Sequence, residues 1–132
     1  MFLAALVGTG IGRWLPDMQP CCVDLRQLVH GKLGIDDAQR RPIELVDRRY
    51  DVDHRRLLLQ LRADDAALAI AYQRQPTGGP ELDAAMEHVA KDIGDCQRAF
   101  VAHATGVRRV LRPAQAAIYD RAIVKALSET AP

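Results

Sequence analysis

The sequence predicts an all-α domain built on two long antiparallel helices, and three observations carry that reading. Apolar residues recur at spacings of three and four along two stretches of about 30 residues each, the period of a helix and not of a strand. One cluster of breakers, Pro76-Thr77-Gly78-Gly79-Pro80, separates the two stretches. Aromatic residues are only 5% of the chain, so the core must come mostly from Leu, Val, Ile and Ala, which suits packed helices better than a strand sandwich. No strand-like alternation persists between Ile35 and Pro132.

At the N-terminus, residues 1–12 hold Phe2, Leu3, Leu6, Val7 and Ile11 and no charge, and Arg13 and Trp14 follow at once. A spanning helix needs about 20 apolar residues, and a signal peptide begins with basic residues. The segment therefore reads either as the trailing part of a membrane anchor, with Trp14 at the interface, or as a frayed apolar tail. Pro16 and Pro20 make residues 15–20 an extended linker. This divides the chain into an anchor remnant and linker, 1–20, and a helical domain, 21–132.

A short first helix is expected over residues 23–33, with Asp24 near its start and Gly31 and Gly34 weakening its end. Asp36 followed by Gln39 reads as a capping box. Pro42 lies too far on to be the first helical residue, so the second helix either starts near Pro42 or bends there. It continues to about residue 75. Pro80 suits the first turn of a third helix over about 81–111, and Arg112-Pro113 leads into a fourth over about 113–127. A loop of about five residues between two long helices forces them into a hairpin, which the short helices at either end must cover.

Basic residues number 18 and acidic residues 17, a balance that argues against a nucleic-acid partner. The three cysteines are an odd number, so Cys21, Cys22 and Cys96 cannot all pair within the chain. Cys96 reads as a small buried hydrophobe.

On the third helix Leu82, Met86, Val89, Ile93, Cys96, Phe100, His103 and Val107 form a heptad stripe broken only by His103. On the second, Ile43, Asp47, Tyr50, His54, Leu57, Leu61, Asp64 and Leu68 keep the same rhythm, with Asp47, His54 and Asp64 as polar exceptions. Folding the hairpin about residues 76 and 77 makes facing numbers sum to about 153. His103 then faces residue 50, with Asp47 and His54 about one turn to either side. Ionisable groups on an apolar seam must be paired, protonated or liganded. The cluster reads as a metal site, a self-satisfied polar network or a proton-handling pair, and spacing alone does not choose. His30 reaches the level of Asp47 if the first helix folds onto the open end of the hairpin. His88 falls beside the stripe and is expected to face solvent.

Several stretches resemble the periplasmic heavy-metal sensors of cobalt–nickel resistance systems, the CnrX-like family. They are Leu28-Val29-His30, Glu44-Leu45-Val46-Asp47, Gln97-Arg98-Ala99-Phe100-Val101-Ala102-His103, and Leu111-Arg112-Pro113 with Ala117-Ile118-Tyr119-Asp120-Arg121. The resemblance spans roughly residues 25–127. It implies a four-helix hooked hairpin that dimerises, faces the periplasm and is held by an N-terminal membrane anchor. It further implies reversible binding of nickel, cobalt or zinc and signalling to a membrane-bound anti-sigma factor.

In the family, the first helix supplies a His-x-x-x-His pair, the second an acidic ligand and the third a His-x-x-x-Met pair. His30, Asp47 and His103 match the second His, the acidic ligand and the third-helix His, with Asp in place of the family's Glu. Arg26 stands where the other His belongs and Val107 where the Met belongs, so His54 or the Cys21-Cys22 thiols become substitute candidates. The alternative is a metal-free periplasmic stress-response chaperone or interaction protein of the related hooked-hairpin type, favoured if Arg26 closes the site by pairing with Asp47. An enzyme is not expected. The Glu-x-x-His spacing of di-metal helical sites fails at Glu87 and Ala90, and no phosphate loop, nucleophile elbow or HExxH occurs.

Overall fold

The computed structural model describes residues 25–129, so residues 1–20, Cys21, Cys22 and Asp24 lie outside the described residues. Within that span there are four helices and no strand: α1 Arg26–Lys32, α2 Asp37–Arg74, α3 Pro80–Arg108 and α4 Pro113–Glu129. The all-α expectation holds, with α2 and α3 as the long central pair.

The helix ends follow local chemistry. Leu25 is the N-cap of α1 and contributes no side-chain cap. The helix stops where Gly34 takes a left-handed φ of 65°, which a side chain would strain. Asp36 and Gln39 form the expected capping box: the Gln39 N–H donates to Asp36 Oδ1 at 2.9 Å and the Asp36 N–H donates to Gln39 Oε1 at 3.1 Å. With its start fixed there, α2 runs straight through Pro42, which deprives only one early carbonyl of its partner. The second helix thus begins before the proline. The third ends at Arg108, three residues short of expectation. Val110 and Leu111 donate to the carbonyls of Val107 and Arg108 in tight turns that send the chain back into α4.

The hairpin register agrees with the facing rule. Leu57 and Cys96 share one core cluster, and a Cβ at Gly106 would lie 2.9 Å from Val46 Cγ1, so the helices approach closely there. At the open end Val29, Leu33 and Ile35 pack with Ile43, Ala104, Val107 and Tyr119. Beneath this core Gln39 and Gln115 form a buried amide clamp. Gln39 Nε2 donates to Gln115 Oε1 at 2.8 Å and to the Val110 carbonyl at 3.0 Å. Gln115 Nε2 donates to the Leu33 carbonyl at 3.1 Å, and its Oε1 accepts from the Arg112 N–H at 2.9 Å. One side chain of α4 therefore ties down the end of α1, the start of α2 and its own N-terminus.

Toward the loop end the seam departs from the heptad reading. Met86 is exposed, and Asp92, beside the stripe, is 5% exposed. The core cluster that includes α1 and α4 residues lies at the other end, so here only positions directly between two helices are covered. When protonated, Asp92 can donate to Asp64, the seam carboxylate of α2; its Oδ2 is otherwise buried without a hydrogen-bond partner. Burial first, then the hydrogen bond and charge of Asp64, push the Asp92 carboxyl up to about 6. Asp64 is held below the usual carboxylate range by Asp92 and Gln60, so of the two it is Asp92 that takes up a proton first as pH falls.

Two outcomes follow. Truncating Gln115 to Ala strands several buried polar groups and should cost about 2–4 kcal/mol in urea unfolding. Asp92 binds its proton more tightly when folded, so its stabilising contribution is complete below about pH 4 and is lost as pH rises through about 6. Asp92→Asn should accordingly raise the thermal midpoint by a few degrees at pH 7.5 and change it little at pH 4, as read by calorimetry.

Candidate metal centre

The site forms where three helices meet. Asp47 projects from α2 into the seam and is 7% exposed. His103 Nε2 from α3 lies 2.7 Å from Asp47 Oδ1. His30 Nε2 from α1 lies 3.1 Å from Asp47 Oδ2. Each carboxylate oxygen therefore holds one imidazole, and the three helices are pinned to a single side chain. The His30 side chain remains 31% exposed and that of His103 12%, so solvent reaches the cluster from the α1 side.

Burial alone would raise the Asp47 pKa. The hydrogen bonds from His103 and His30, with the charges of His103 and Arg26, outweigh it and hold the carboxyl below its ordinary value. Asp47 is thus an anion at neutral pH and can only accept. Both Nε2 atoms must then carry the hydrogen.

The three sequence-predicted residues His30, Asp47 and His103 come together, and His54 stands apart. Its ring stacks on Tyr50 at 5.2 Å, and Tyr50 tilts against His103 at 4.5 Å. His54 Nε2 is buried without a hydrogen-bond partner, and no hydrogen bond joins it to the trio. His88 is exposed, as expected. Cys96 is buried in the neighbouring cluster with Leu57 and is a packing residue, while the Cys21-Cys22 thiols lie outside the described residues.

Arg26 pairs with Asp51, one turn beyond Asp47 on α2, and not with Asp47 itself. The closure that favours the metal-free alternative is therefore not the arrangement seen. Val107 is buried in the core beside Tyr119, and no thioether reaches the site from that position. The seam pattern did not reveal Tyr119, whose hydroxyl is raised by burial and then by the nearby charge of Asp47. It lies on α4, which the hairpin spacing does not position.

Among the described residues no group of three or more His, Cys, Asp or Glu side chains is preformed to hold a metal ion. The trio is closed on itself by hydrogen bonds. The donor types nevertheless suit a divalent transition metal: two imidazoles and one carboxylate. The nitrogen–oxygen separations of 2.7 and 3.1 Å are hydrogen-bond distances, so a metal ion would have to replace those two bonds. A groove of about 460 Å³, lined in part by Leu45, Tyr50, Ala99 and His103, opens beside the cluster.

Removing the carboxylate while keeping its volume tests this account. Asp47→Asn should cost about 2–4 kcal/mol at pH 7 by urea unfolding, because one imidazole N–H loses its acceptor. The folded pKa of Asp47 is depressed, so its contribution is present above the unfolded value near 4 and is lost as pH falls through the folded value. The gap between wild type and variant should therefore narrow at pH 3.

No family model matches the chain. It is 33% identical over 104 residues to the nickel and cobalt resistance protein CnrR of Cupriavidus metallidurans, a match covering 79% of this chain and 70% of the relative. No helix among the described residues is long and apolar enough to cross a membrane.

Proposed function

The chain belongs to the CnrX-like heavy-metal resistance family, and on that premise we propose that it is a periplasmic sensor that binds nickel, cobalt or zinc through His30, Asp47 and His103. The observation that carries the proposal is the convergence of two imidazole Nε2 atoms from different helices on the two oxygens of one buried carboxylate. The role is binding and not catalysis.

In this reading the resting state holds the ligands by hydrogen bonds. To take up a dication, both imidazoles turn their Nε2 lone pairs toward it and carry the remaining hydrogen on Nδ1. Three protein donors leave positions for water, because Arg26 and Val107 occupy the places where the family carries two further ligands. Without the thioether the site leans toward metals content with nitrogen and oxygen. His30 is the one donor on the short α1, so metal uptake would draw α1 against the hairpin and alter the surface shown to a partner. That partner is proposed to be a membrane-bound anti-sigma factor, read by a homodimer anchored through its N-terminus.

The second reading, a metal-free interaction protein, rests on the two substituted ligand positions and on the closed hydrogen-bonded trio. Calorimetric titration of the chain with nickel, cobalt and zinc separates the two. The sensor reading expects saturable binding of at least one metal, weakened at least about tenfold in His30→Ala and His103→Ala. Absence of heat for all three metals with the wild-type chain would sink it.

A further inference from the structure

The outward side of α2 carries a second heptad pattern with no role in the hairpin. Arg41, Leu45, Arg48, Val52, Arg55, Leu59 and Arg62 are spaced 4, 3, 4, 3, 4, 3, so arginine and aliphatic side chains alternate along one strip. Arg49 and Arg56 flank it. At about 100° per residue the strip lies on the opposite side of the helix from Ile43, Asp47, Leu57 and Leu61, the residues that α2 buries. Every strip member is exposed, with Leu45 at 58%, Val52 at 70% and Leu59 at 61%. None of these six arginines forms an ion pair with a described residue. Of the nearby acids on α2, Asp51 holds Arg26 and Asp37 holds Arg40, while Glu44, Asp53 and Asp65 flank the strip without an ion pair among the described residues. A shallow depression lined by Val52, Arg55, Arg56, Leu59 and Gln60 lies on it.

We infer that this face of α2 is a docking strip for an acidic amphipathic helix of a partner protein. The partner helix would carry apolar side chains against Leu45, Val52 and Leu59, and Glu or Asp against the arginines. The repeat of 3.5 residues is the period at which a second helix keeps one seam in contact over many turns. The strip is about 31 Å long, enough for three such heptads. A bilayer surface has no use for that period, and the strip lacks the aromatic anchors and broad apolar face of an interfacial helix. Nucleic acid would use the arginines, but the interleaved aliphatics offer phosphates nothing. A second copy is disfavoured by charge. Antiparallel self-pairing about Val52 makes facing numbers sum to about 104 and sets Arg48 against Arg56 and Arg49 against Arg55, like facing like.

The test uses the full chain and a synthetic three-heptad helix with Leu and Glu at its two seam positions. Controls are the same residues in scrambled order, phosphatidylglycerol vesicles and duplex DNA. The patterned peptide should bind at least about tenfold more tightly than the scrambled one. Arg48→Glu with Arg55→Glu should abolish that binding at unchanged helicity, and a peptide with Lys in place of Glu should restore it. Equal binding of the scrambled peptide, tighter binding to vesicles or DNA, or no binding of the patterned peptide overturns the inference. So does a wild-type dimer that the arginine reversals alone dissolve in sedimentation.

Discussion

Asp47 sits where three helices meet, 7% exposed, and an ionised carboxylate at that depth needs a donor on each oxygen. His103 meets the need from within the hairpin. His30 meets it from the short α1, whose Arg26 also pairs with Asp51 one turn further along α2. The position of α1 and the satisfaction of Asp47 are therefore one requirement. Any ligand that replaces the two hydrogen bonds must also decide where α1 rests.

The amide clamp makes that arrangement durable. Gln115 ties the end of α1 to the starts of α2 and α4 through buried hydrogen bonds, so α1 is fixed at its C-terminal end while His30 meets the carboxylate one turn earlier. A helix of seven residues is marginal by itself and persists through tertiary contacts. Here those contacts are Val29 and Leu33 in the open-end core, the clamp, the Arg26–Asp51 ion pair and the Asp47 hydrogen bond. The loop end of the hairpin has no comparable cover, and there Asp92 is buried near Asp64.

The sides of α2 divide the labour of the molecule. The inner side builds the seam and the candidate metal centre. The outer side carries no packing duty and holds a regular run of arginine and aliphatic side chains. Near-zero net charge conceals that separation, because the seven acids of α2 fall outside the heptad run that its arginines share with the aliphatics.

Periodicity and breakers determined much of this from the sequence alone. Spacings of three and four set the long helices, the Pro-Gly cluster set the hairpin, and the facing rule put His103 beside Tyr50 and within a turn of Asp47. These are local consequences of helix geometry, which is why they were legible. The tertiary structure decided what spacing leaves free. It set Arg26 on Asp51 instead of Asp47, left His54 stacked behind Tyr50, exposed Met86 of the stripe while burying Asp92 beside it, and folded α1 so that His30 completes the trio. Each depends on how separate helices rotate and dock, and the energies that settle docking come from side chains distant in the chain, such as Gln39 and Gln115.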